Sequence, residues 1–202
     1  VERAVTDVFD EPDDATPLTH EEKNGLLQSW INSRRELNEA EQANIAKAAA
    51  WARRRRNLDA GRLLTEDFVK ALHKQMLGEV WSWAGAYRRS ERNIGIEAHR
   101  ITTDMPMMFD DVGYWIANAV YSSDEIAVRL HHRLVAIHPF ANGNGRHARL
   151  MADLLVERLN GTAFSWGAGT ISGVGELRAR YIAGLRSADD HDLGPLLAFA
   201  RS

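Results

Sequence analysis

The stretch Ile137–Arg149, IHPFANGNGRHAR, decides how the rest of the chain is read. His138 ends an amphipathic run, and Pro139 stops that helix because its ring removes a donor and crowds the preceding turn. Asn142, Gly143, Asn144 and Gly145 follow, all residues that tolerate left-handed backbone. A tight turn of this kind leaves consecutive N–H groups unshielded, which makes an anion nest. It runs straight into a helix whose N-terminus adds free donors and partial positive charge. Arg146 and Arg149, three residues apart, share one face of that helix. Two guanidiniums beside such a nest match a polyphosphate better than a single carboxylate. His138 stands at the mouth, able to take a proton near neutral pH. Each part also has a bland use: a structural His beside Pro, Phe140 as a core anchor, glycines at a helix corner, Arg149 paired with Asp153. Packing alone rarely puts all of them together, so the joint arrangement points to a phosphate site.

Outward from this stretch most of the chain reads as helix. Glu36–Arg56 carries small and apolar residues with few breakers and ends in four arginines, where cations suit a helix C-terminus. Thr65 is placed to cap a helix bearing Phe68, Leu72 and Met76, with Gly78 as its stop. Asp104 is expected to cap a helix carrying Met108, Val112 and Trp115. Further helices are expected around Ile126–Ile137, Asn144–Asn160 and Glu176–Ser187. Arg88–Ile101, RRSERNIGIEAHRI, breaks the pattern: Ile94 and Ile96 alternate around Gly95, which predicts a short extended hairpin or flap. Trp81 and Trp83 read as packing beneath it. The fold class expected is all-α, a compact helical bundle with one short β-hairpin flap.

The chain has 202 residues, a net charge of -3 and no cysteine. Absent thiols exclude disulfides, zinc–thiolate sites, iron–sulfur clusters and thiol catalysis. No apolar run approaches the ~18 residues of a membrane span, and the acidic start at Val1 does not read as a signal peptide. The weak negative charge argues against a nucleic-acid partner. Eight carboxylates crowd the first 22 residues beside Arg3, so Val1–Thr16 reads as a loosely ordered arm. The expected division is an arm over residues 1–20 and one domain over residues 21–202, in a cytoplasmic protein with no membrane partner.

HPFANGNGRHAR resembles the Fic motif, His-x-Phe-x-(Asp/Glu)-Gly-Asn-Gly-Arg-x-x-Arg, at all but one fixed position. LHKQMLGEVWSWAGAYR (Leu72–Arg88) is similar to the family's segment before its flap, and HHRLVAIHPF (His131–Phe140) to its pre-motif helix. Arg178–Ser202 resembles the C-terminal helices of a subgroup called mobile mystery protein B. The resemblance implies a helical fold and transfer of AMP from ATP to a Ser, Thr or Tyr hydroxyl of a target protein. His138 would then be the base. Gly143, Asn144 and Gly145 would cradle phosphates, with Arg146 near the β-phosphate and Arg149 on the γ-phosphate. Asn142 would be the metal ligand for Mg²⁺. A flap over Arg89, Asn93, Ile94, Gly95 and Ile96 would register the target by strand addition. Tyr181 and Trp166 are the C-terminal aromatics available to face an adenine. A possible antitoxin or operon partner goes with the subgroup.

Asn142 departs from the family's acidic residue, and a neutral amide holds a hard cation less well. That keeps open a catalytically weak or inactive nucleotide-binding module acting as a partner or regulator; the separate same-class rival is a Doc-like phosphotransferase, against which the Gly-Asn-Gly turn argues. The family's inhibitory helix, Ser/Thr-x-x-x-Glu-Gly/Asn, has no strict match. Asn32–Glu36 and Ser172–Glu176 are relaxed ones, with Glu36 the candidate partner of Arg149.

Overall fold

A computed structural model of the chain describes residues 18–169 and 173–202. The arm expected over residues 1–20 lies almost wholly outside the described residues, as does Ser172. The elements are α1 (His20–Lys23), α2 (Arg34–Arg54), α3 (Ala60–Leu63), α4 (Glu66–Leu77), α5 (Ile101–Ala117), α6 (Ser123–Ile137), α7 (Asn144–Arg158), α8 (Val174–Asp189) and α9 (Gly194–Arg201). Side-chain caps explain several starts: the hydroxyls of Ser33, Thr65 and Ser122 accept from the N–H groups of Glu36, Phe68 and Glu125. Among the described residues no helix is long and apolar enough to cross a membrane.

The core follows the apolar periodicity. Leu72, Met76, Met105, Met108, Leu130, Leu134, Met151 and Leu155 are all buried. α6 packs most extensively on α7, α8 on α9, and α2 on α4. The Arg53 guanidinium, at the end of α2, reaches Glu157 of α7 at 2.9 Å. One expected cap is wrong. α5 begins at Ile101, straight out of a 3₁₀ turn over Ala98–Arg100, and Asp104 lies inside it, paired with Arg100 at 3.0 Å.

The flap is also not a hairpin. Residues 88–97 contain no strand, and the isolated bridge among the described residues joins Leu26 to Trp81. Its backbone pairs elsewhere: Arg88 N–H donates to Pro139 C=O at 2.9 Å, and Ile96 N–H lies 3.5 Å from Ile137 C=O. The Arg88 side chain, wholly buried, does what a ladder would have done. Its Nε donates to His138 C=O at 2.7 Å, its Nη1 to Ser90 C=O at 2.9 Å, and its Nη2 to Ile96 C=O. One guanidinium therefore satisfies carbonyls that two paired strands would have shared. A second tether is the Arg92–Glu22 ion pair, which ties the flap to α1.

Candidate active site

α6 terminates at His138 in the left-handed region, φ 53° and ψ 59°, with its N–H donating to Leu134 C=O at 3.0 Å. Such a backbone costs a non-glycine residue roughly 1–2 kcal/mol and is held only by its surroundings. Two features hold it. Arg88 grips the His138 carbonyl from the flap. Gly95, at φ +97°, lies so close that a Cβ there would stand 2.6 Å from His138 Cβ and 3.0 Å from the Arg88 guanidinium. His138 is consequently 8% exposed. Burial, and then the Arg88 charge, lower its pKa to about 4 against an opposing hydrogen bond with Val135 C=O. The imidazole is thus neutral at physiological pH, the form a base requires.

The turn after His138 is built on Phe140 and Asn144. Phe140 is fully buried, stacked on the His73 ring at 3.7 Å and edge-on to His147 at 5.1 Å. Asn144 Oδ1 accepts from Phe140 N–H at 2.9 Å, and its Nδ2 donates to Phe140 C=O at 2.8 Å. Its side chain is therefore turned inward and spent on closing the turn, not on a ligand. What residue 144 offers a ligand is its place in the first turn of α7. There N–H groups have no intrahelical acceptor, and the first intrahelical bond runs from His147 N–H to Gly143 C=O.

His73, unnoticed in the sequence, pins the corner. Gly85 N–H donates to its Nδ1 at 2.9 Å, which leaves the proton on Nε2 to donate to Asn142 C=O at 3.0 Å. Burial, followed by the charges of His147 and Arg146, lowers its pKa to about 3. A buried histidine sandwiched between two backbone groups has no one-dimensional signature, so only the fold exposes this role.

The motif arginines are held differently. Arg146 meets Glu41 of α2 at 2.5 Å, and its second nitrogen lies 3.4 Å from Asn142 Oδ1. Glu41 is 3% exposed, and its other oxygen accepts from Trp81 Nε1 at 2.6 Å. Arg149 instead lies over the Tyr181 ring, 5.4 Å from its centroid. The Tyr181 hydroxyl is 3.6 Å from where a Gly145 Cβ would be. The structure thus brings Gly145, Arg149 and Tyr181 together. Trp166 spends its indole N–H on Asp153 at 2.9 Å and packs its ring on His131.

Glu36 is not brought to Arg149. It stands at the exposed start of α2, its carboxylate accepting from Asn32 N–H at 2.8 Å while its own N–H donates to Ser33 Oγ at 3.3 Å. A carboxylate in the first turn folds back onto the backbone just ahead of the cap, as in a capping box. The carboxylate that does reach a motif arginine is Glu41, on the same helix but on its buried face, and the arginine is Arg146. Of the flap residues, Arg89, Asn93, Ile94 and Gly95 are exposed and Ile96 is half-buried.

The donor set suits a polyphosphate: helix-end amides and the open Gly145 lie beside Arg149 and Tyr181, with Arg146 held nearby on Glu41. It does not by itself fit Mg²⁺. Asn142 Oδ1 already accepts from Gly143 N–H and faces Arg146, and no cluster of metal-binding side chains occurs among the described residues.

A strained histidine, an amide-lined corner and two arginines in one short stretch mark the candidate site of this helical domain. The Fic/DOC family profile matches residues 63–156. The chain is 29% identical over 136 residues to the protein adenylyltransferase Fic of Drosophila melanogaster, covering 65% of this chain and 26% of that protein. The Drosophila virilis protein of the same name matches to the same extent. Fic-1 of C. elegans superposes with a TM-score of 0.63 at 23% identity, over 88% of this chain and 56% of that one. BepC of Bartonella tribocorum, solved with bound AMPPNP, gives 0.66 at 18% identity, over 91% and 97%. The chain is thus similar to the Fic/DOC family over residues 63–156, and it spans about a quarter of the length of the curated relatives it matches.

Proposed function

We propose that this chain transfers AMP from ATP to a hydroxyl side chain of a target protein. The observation that carries the reading is the neutral, strained His138 held immediately before an amide-and-guanidinium corner. In this reading the terminal phosphates lie between the first turn of α7 and Arg149, with Arg146 neutralising charge on the departing pyrophosphate. The target hydroxyl oxygen attacks the α-phosphorus, the bond from that phosphorus to the bridging oxygen of the β-phosphate breaks, and His138 takes the hydroxyl proton. Positioning and charge neutralisation supply most of what such a transfer needs. The relatives' name and the AMPPNP-bound neighbour support ATP as donor. Magnesium would enter as the nucleotide's own counter-ion, with Asn142 contributing at most one neutral oxygen.

The exposed flap residues Arg89, Asn93, Ile94 and Gly95 are the proposed target contacts. Arg89 borders a groove of about 580 Å³ together with Lys70, Tyr87 and His99. Glu41 gives the site a restraint, because Arg146 must leave a buried carboxylate before it can serve phosphate. Low basal turnover follows from that pairing.

Parallel labelling with α-³²P-ATP and γ-³²P-ATP tests the assignment, reading self-modification where no target is supplied. Label from the α position, lost in His138→Ala while nucleotide binding survives, supports AMP transfer. Label from the γ position alone supports a phosphotransferase, and no label with nucleotide still bound supports a binding module.

A further inference from the structure

Behind Arg149 lies a buried dyad that the reading above leaves without a task. Tyr181 of α8 places its hydroxyl 3.2 Å from His131 Nε2 of α6. His131 is fully buried, and its Nδ1 has no hydrogen-bond partner among the described residues. Burial, then the charges of Arg149 and His132, lower its pKa to about 3, so the ring carries a single proton near neutral pH. Trp166 closes one side, 4.7 Å between ring centroids.

A neutral imidazole in this setting has two choices. With the proton on Nδ1, an N–H is buried unpaired, and Nε2 draws the Tyr181 O–H toward itself. The hydroxyl then shows only lone pairs to the corner beside Gly145. With the proton on Nε2, the unpaired atom is merely an acceptor, and His131 donates to Tyr181 Oη. The tyrosine proton is then free to point at an anion. A phosphate oxygen at the corner favours the second arrangement, since it rewards a donor and repels a lone pair.

We infer that His131 is a positioning residue, whose Nε2–H orients Tyr181 so that the tyrosine O–H donates to the terminal phosphates held by Arg149. This assigns Tyr181 to the phosphates, not to the adenine, and it rests on the corner being an ATP site.

The test compares ATP, ADP and AMP binding by titration calorimetry on the whole chain. The wild type should prefer ATP and ADP to AMP. Tyr181→Phe should weaken ATP and ADP on the order of ten-fold while AMP changes by less than about two-fold, the size expected of one hydrogen bond to a charged group. His131→Gln, which retains a donor, should stay near wild type, and His131→Met should behave like Tyr181→Phe. Nitrogen-15 correlation spectra of the ADP-bound wild type, which need no variant, should show His131 protonated on Nε2. A proton on Nδ1, or an unchanged ATP-to-AMP preference in Tyr181→Phe, overturns the inference alone. A wild type that does not distinguish ATP from AMP overturns the phosphate corner and this inference with it.

Discussion

Acid should loosen this protein through its buried histidines, and the loss can be worked out from their surroundings. His73, His131 and His147 are fully enclosed, with pKa values lowered from 6.5 to about 3, about 3 and about 4, chiefly by burial. A group whose folded pKa is depressed stays neutral in the fold while the unfolded chain binds protons below 6.5. Stability is therefore full above pH 6.5 and falls as the pH drops from there toward the folded values. Moving from about pH 7.5 to about pH 5.5 costs about 1.4 kcal/mol per such histidine. With His138, buried and lowered to about 4, four of them remove about 5–6 kcal/mol, a large share of the roughly 5–15 kcal/mol that holds a domain together. For a chain of this length the melting temperature should fall by about 10–24 °C. Protonated His73 would also face Gly85 N–H with a second donor, which frees the Asn142 corner. Thermal melts followed by far-UV circular dichroism across that range measure the loss. His73→Gln should start less stable yet lose about one quarter less over the same interval. A melting temperature independent of pH, or a variant with the wild-type slope, would refute the reasoning.

Two further outcomes concern the corner. Glu41→Gln keeps an acceptor for Trp81 but removes the charge paired with Arg146; ATP should bind more tightly and self-labelling should rise, and weaker ATP binding would count against a restraining role. Asn142→Asp supplies the missing carboxylate; ATP binding should weaken in EDTA through like-charge repulsion and recover with added Mg²⁺, which calorimetry with and without the ion would show.

Much of the site was legible in one dimension because it is local. His138, the turn and both arginines lie within a single short stretch, and the rules for helix ends and glycine-rich turns act over a few residues. The helices were legible for the same reason, since period and caps are local, although the start of α5 was misplaced by four residues because a 3₁₀ turn leads into it where Asp104 was expected to cap. The flap failed as a hairpin because alternation around Gly95 says nothing about where Arg88 will send its guanidinium.

Sequence alone therefore determined a helical chain and the local turn, rich in amides and arginines, that follows His138. Tertiary structure decided who holds that corner: His73 under Asn142, Glu41 on Arg146, Arg88 on His138, and His131 behind Tyr181. Those contacts join residues dozens of positions apart, and a buried polar group takes whichever partner the packing brings within reach, because leaving it unpaired costs more than any local preference returns.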